Sequence, residues 1–287
     1  MQQRSLGGTP VSALGLGGMP MSIEGRPDED RSLRTIHAAL DAGVTLIDTA
    51  DAYHRDADDV GHNELLIAKA LAHYGGDSSG VLVATKGGHL RPGDGSWTLN
   101  GRPEYLKEAA KASLKRLGGD AIGLYQFHRP DPEVPYEDSV GALKELLDEG
   151  VIRLAGISNA TVHQIRKANE ILGGSLASVQ NQFSPAFRSS EDELRYCGEN
   201  GIAFLPWSPL GGIQKAGGLG EQFTPFQEVA DAHGVSPQQV CLAWELALAP
   251  TVLPIPGASR PESIQDSARA VELELTDDEI ALLSSTD

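Results

Sequence analysis

Cysteine is nearly absent: among 287 residues there are two, Cys197 and Cys241. Both stand in helical patterns, ELRYCGEN and SPQQVCLAWELAL, which marks them as buried or half-buried thiols and excludes a disulfide framework. Long apolar runs are missing as well. No stretch approaches the roughly 18 apolar residues that a spanning helix needs, and the first residues, MQQRSLGGTPVSALGLGG, lack the apolar core of a signal peptide. A cytoplasmic location is expected. Basic residues are outnumbered, 23 Lys and Arg against 40 Asp and Glu, for a net charge of −17. Nucleic acid and anionic membranes would repel such a chain, so neither is an expected partner. Two phosphate-binding signatures are lacking too. Neither GxGxxG nor GxxxxGKS/T stands at a strand-to-helix junction, so a dinucleotide would have to be held by other means.

What is present is a regular alternation. Hydrophobic residues make up 40% of the chain, enough for a substantial core. Turn residues Gly7, Gly8, Thr9 and Pro10 predict a small N-terminal hairpin. Eight β-type runs follow, at 14–18, 44–49, 81–86, 122–128, 152–158, 178–183, 203–207 and 252–255. Between them lie amphipathic stretches such as RPEYLKEAAKASLKRLGG and PYEDSVGALKELLDEG, several ending in the glycine that stops a helix. Eight strands with intervening helices predict an α/β fold, a single (β/α)8 TIM barrel over residues 1–287. The least patterned stretch, HLRPGDGSWTLNGR, follows the third strand and is expected to shape a substrate site.

In such a barrel the reactive face is the carboxyl end of the strands. TLIDTADAY puts Asp48 at a strand end and Tyr53 in the loop after it. VLVATKGG places Lys86, and LYQFHRPD places His128, at the next two ends. A lysine closing an apolar strand is costly to desolvate without a carboxylate, and Asp48 is one strand away. An ammonium beside a phenol favours the phenolate, which predicts a Tyr53 pKa below its ordinary value of about 10. His128 would orient a carbonyl oxygen. Taken singly, each has a plainer role: a cap for Asp48, a half-buried aromatic for Tyr53, a loop histidine for His128. Their convergence on one mouth outweighs those roles.

GVTLIDTADAY followed by GHNE, then VLVATKGG, LYQFHRPD, IRLAGISN, VQNQFS, PWSPLGG and VLPIPGASR occur in one order along nearly the whole chain. In these segments the sequence resembles the aldo-keto reductases. The resemblance implies a barrel floored by the N-terminal hairpin and NADPH-dependent reduction of an aldehyde or ketone. Tyr53 is then the general acid, assisted by Asp48, Lys86 and His128. It further implies that Ser158, Asn159 and Gln180 hold the nicotinamide carboxamide, that Trp207 stacks on the ring, and that Ser208, Leu210 and Gly211 wrap the pyrophosphate. Ser259 and Arg260 fall where the adenosine 2′-phosphate binds, which favours NADPH over NADH, and Asp266 falls near the adenine. No metal is involved in this reading, the partner is a small carbonyl compound, and a monomer is expected. Met19, Met21, His89 and Trp97 are candidate pocket residues. The chain ends soon after TDDEIALL, without a long closing loop, so an open pocket is expected. Two alternatives stay in view: a dehydrogenase of sugars or alcohols using the same site, and an NADP-binding regulatory subunit with weak turnover.

Overall fold

Gly7 and Gly8, at φ of 56° and 86°, turn β1 (Gln3–Leu6) back onto β2 (Thr9–Ser12). Both turn positions need positive φ, which glycine adopts without steric cost. A Cβ on Gly7 would stand 2.8 Å from that of Ala177, so this turn lies tight against the rest of the fold. The computed structural model describes residues 1–286. Next in the chain come β3 (Leu16–Gly17), β4 (Leu46–Asp48), β5 (Leu82–Gly87), the short pair β6 (His89–Leu90) and β7 (Thr98–Leu99), β8 (Ile122–Phe127), β9 (Ile152–Ser158), β10 (Leu176–Gln180) and β11 (Ala203–Phe204). Apart from the two short hairpins, these strands form one seven-stranded parallel sheet in chain order.

The predicted eighth strand is the irregular one. Val252 bridges to Phe204 and Gly257 to Gly17, both in parallel sense, so the segment joins the two edges of the sheet and closes the barrel. Leu253 N–H donates to the Phe204 carbonyl at 2.8 Å, while the carbonyls of Pro254 and Pro256 accept from Gly15 and Gly17, each at 2.9 Å. Successive residues of a strand face opposite neighbours. Prolines at alternate positions therefore strip every donor from the side facing β3, and a regular ladder cannot form there.

Helices cover the outside: α1 (Glu29–Asp41), α2 (His62–Ala72), α3 (Pro103–Leu117), α4 (Tyr136–Asp148), α5 (Val162–Ile171), α6 (Glu191–Asn200), α7 (Leu219–Gln222), α8 (Thr224–His233), α9 (Pro237–Leu248), α10 (Pro261–Arg269) and α11 (Asp277–Ser284). Side-chain caps start α1, α5, α9 and α11. Thr161 and Gln164 form a reciprocal capping box on α5, and Ser236 accepts from Gln239 N–H on α9. The other end of α9 is capped from the hairpin: the Arg4 guanidinium donates to the carbonyls of Leu246, Ala249 and Val252 at 2.6–2.8 Å. The Leu246 carbonyl lies in the last turn, at the negative end of the helix, where carbonyls have no intrahelical partner.

Side-chain alternation fixes what lies inside the barrel. Leu46, Ala84, Leu124, Leu205, Leu253 and Ile255 pack together within it, over Leu6 and Val11 of the hairpin. Ile47 faces the helices on one side, and Tyr125 and Phe127 face them on another. With a period of two, Asp48 follows Leu46 and Lys86 follows Ala84 onto the inner face, one step nearer the mouth. No helix among the described residues is long and apolar enough to cross a membrane.

Candidate active site

Four strand ends and one loop bring the polar residues together. The Lys86 side chain is fully buried and its ammonium donates three hydrogen bonds: to Asp48 Oδ2 at 2.6 Å, to the Thr49 carbonyl at 2.7 Å and to the Tyr53 hydroxyl at 3.1 Å. Gln180, from β10, donates to the other Asp48 oxygen at 2.8 Å. His128 packs edge-on against Tyr53, with ring centroids 5.9 Å apart. These groups floor a cavity of about 390 Å³. Met19, His89 and Trp97 also line it, whereas Met21 is fully buried in the core beneath α1 and takes no part. The stretch after β5 is more ordered than its sequence suggests. His89 pairs with Leu99 and Leu90 with Thr98, and the resulting β6–β7 hairpin sets the His89 ring 4.5 Å from Trp97. Its pairing rests on two residues per strand, too few to leave an alternation in the sequence.

Burial governs the ionisation of this group. It works against the Lys86 charge, but Asp48 and Tyr53 outweigh it and hold the ammonium above its ordinary 10.5. For Tyr53 the balance falls the other way from the sequence expectation. Removal from water raises the phenol above 10 despite the opposing pull of Lys86, and Asp48 adds to the rise. The hydroxyl therefore keeps its proton at neutral pH. His128 is pushed well below 6.5, by burial first and then by Lys86, so it is a neutral imidazole. Its Nδ1 is buried without a partner, leaving Nε2 as the nitrogen that can meet a ligand.

Comparison with known proteins places this arrangement. The sequence pattern of the aldo/keto reductase family matches residues 13–287. The chain belongs to the aldo/keto reductase family. It is 34% identical to an uncharacterized oxidoreductase of Schizosaccharomyces pombe over 97% of this chain and 87% of that protein. Among solved structures, a thermostable aldo-keto reductase in complex with the inhibitor epalrestat superposes with a TM-score of 0.83 at 29% identity, over 100% of both chains. The glycerol dehydrogenase AKR11B4 of Gluconobacter oxydans superposes with 0.84 at 26% identity, over 99% of this chain and 94% of that one.

In this aldo-keto reductase the residues expected to hold a dinucleotide separate into two sets. Ser158, Asn159, Gln180, Trp207, Ser208 and Leu210 line the cavity, while Gly211 stands in the same loop at a φ of 82°. The Trp207 indole donates to Asn159 Oδ1 at 3.2 Å, and Asn159 Nδ2 donates to the His128 carbonyl at 3.0 Å. Asn159 and Ser208 are the two non-glycine residues at positive φ among the described residues, 56° and 53°. Strain of this kind is retained where the surroundings impose it, often at ligand sites. Ser259, Arg260 and Asp266 stand apart, outside the cavity wall. Arg260 is exposed, its Nε donating to Ser263 at 2.8 Å. Asp266 is engaged within the fold, accepting from Ser236 and Gln239 at 2.6 Å each and from Arg269 at 3.0 Å.

Several supporting residues escaped the sequence reading. Asn63 and Glu64, the NE of GHNE at the start of α2, brace the strand ends that carry Asp48 and Lys86. Asn63 accepts from Thr49 Oγ1 at 2.6 Å and donates to the Gly18 carbonyl, and Glu64 accepts from Thr85 and Arg116 at 2.5 Å each. Beside Glu64 lies Asp51, buried, with Oδ1 unpartnered and its carboxyl pushed up to about 8 by burial and by Glu64. The one signal for them was the motif itself.

Proposed function

We propose that this oxidoreductase reduces an aldehyde or ketone to the alcohol with NADPH, Tyr53 acting as the general acid. The observation that carries the reading is the direction of the Lys86–Tyr53 hydrogen bond. An ammonium can only donate, so the Tyr53 oxygen accepts from Lys86 and its own proton is free to point elsewhere. Tyr53 has no acceptor for that proton among the described residues, and it lines the cavity. A carbonyl oxygen entering there would take the hydrogen bond, and neutral His128 would offer a second through Nε2. As the Tyr53 proton moves to the carbonyl oxygen, the adjacent ammonium stabilises the phenolate left behind. Gln180 and Lys86 hold Asp48 from both sides, so Lys86 keeps its place and charge during the transfer.

Bound NADPH supplies the hydride that adds to the carbonyl carbon. The residues present suit it. Trp207 offers an aromatic wall, the 208–213 loop with its glycines borders the mouth, and the exposed Arg260 at the start of α10 suits a 2′-phosphate. Kinship in fold with a glycerol dehydrogenase favours a second direction, oxidation of an alcohol at the same site by the reverse proton path.

Tyr53→Phe removes the proton but preserves the ring. Turnover of a simple aldehyde should fall by about 10²- to 10⁴-fold, with NADPH affinity retained. Wild-type rates in that variant would sink the assignment. Fluorescence titration of NADPH against NADH tests the cofactor: Arg260→Ala should weaken NADPH selectively, and an equal effect on both would remove Arg260 from the 2′-phosphate site.

A further inference from the structure

Arg129 follows His128 at the end of β8 and lines the cavity. Other arginines around this face are paired: Arg26 with Asp59, Arg91 with Glu24 and the His54 carbonyl, Arg116 with Glu64. Arg129 has no ion pair or hydrogen bond among the described residues, and its Nε is buried without a partner. A guanidinium has five donors and cannot shed its proton, and in half-buried Arg129 no described residue pairs with any of them.

The charges facing the cavity sharpen the point. Asp48 and Lys86 cancel one another, and no other acidic or basic side chain lines it apart from Arg129. In a chain of net charge −17, the cavity therefore carries an uncompensated positive charge. The two neighbouring histidines add no charge of their own, His128 being a neutral imidazole. His89 is held down to about 4 by burial and by Arg129, so it stays neutral. Around this cation the wall is apolar or aromatic, with Met19, Trp97, Trp207 and Ile213.

We propose that Arg129 binds the carboxylate of an oxo-acid substrate, an aldehyde or ketone whose apolar body lies against Trp97 while its carbonyl meets Tyr53 and His128. One guanidinium matches one carboxylate in charge and in the geometry of two parallel hydrogen bonds. This rests on the reductase reading above, and its test has a readout independent of turnover.

The probes are matched pairs: 4-formylbenzoate against 4-formylbenzamide and 4-oxobutanoate against 4-oxobutanamide for turnover, benzoate against benzamide for binding by tryptophan fluorescence. In the wild type, kcat/KM should favour each acid over its amide, and benzoate should bind more tightly than benzamide. In Arg129→Met both preferences should shrink by about 10- to 100-fold, the span of a charge-assisted pair, while Arg129→Lys should retain part of them. Equal treatment of acid and amide by the wild type would overturn the proposal and leave the reductase reading standing if the aldehydes turn over. Loss of NADPH affinity in Arg129→Met with benzoate binding unchanged would also overturn it, by assigning the guanidinium to the cofactor. Absence of all turnover would defeat the reductase reading, and with it the claim of an oxo-acid substrate, even where benzoate still binds.

Discussion

At the scale of single residues, burial decides more than charge contacts do. Lys86 was expected to lower the Tyr53 pKa, and it does pull in that direction, yet removal of the phenol from water outweighs it. Contact between two groups can be anticipated from strand ends. The desolvation of each depends on everything packed around it. Asp51 shows the same rule with a measurable consequence. Its folded-state pKa is raised from 3.8 to about 8, so between those values the folded state holds a proton that the unfolded state releases. The contribution of Asp51 to stability is thus fully present below 3.8 and is lost as pH rises through about 8. Asp51→Asn cannot titrate. Urea unfolding across that window should show wild type losing stability relative to the variant as pH rises, then running parallel above it. A constant difference would mean that Asp51 is ionised in the fold.

Among elements, the closing segment shows where pattern and structure part. The run at 252–255 has the composition of a buried strand, and it does occupy the eighth position, but Pro254 and Pro256 leave it held by isolated bridges. Close approach compensates. Gly17 has no side chain, and a Cβ there would stand 2.8 Å from the Ile255 carbonyl and 3.3 Å from Gly257. Gly17→Ala should therefore spread the seam, costing about 1–3 kcal/mol as overpacked sites do. A denaturant midpoint equal to wild type would show that the seam is loose. The β6–β7 hairpin is the opposite case, an element too short to be visible in its own residues, yet its His89 and Trp97 supply one wall of the cavity. Asp48, Lys86 and His128 were legible because each ends a long apolar run. Asn63, Glu64 and Arg129 were not, because nothing in their local pattern separates a buried brace or a lone cation from an ordinary surface polar group.

Taken whole, the molecule sets a strongly acidic surface around a cavity whose one uncancelled charge is positive. Self-repulsion among surface carboxylates opposes compactness, and salt screens it over about 8–10 Å at physiological ionic strength. Thermal unfolding should therefore shift upward as sodium chloride replaces a low-salt buffer. A midpoint that falls with salt would instead give surface ion pairs such as Lys69–Glu29 the larger share. Both thiols are buried, and burial drives Cys197 up to about 12 and Cys241 well above its ordinary value.

By itself the sequence determined the order of the barrel strands and the helices between them, the barrel they make, and that Asp48, Lys86 and His128 reach its mouth. Each of these follows from local periodicity, two residues in a strand and 3.6 in a helix, repeated often enough to be unambiguous. Tertiary structure alone decided the ionisation of Tyr53, the bracing of Asp48 by Gln180 from 132 positions away, the capping of α9 by Arg4 and the solitude of Arg129. Those properties are sums over neighbours drawn from distant parts of the chain, and they have no value until the barrel has closed.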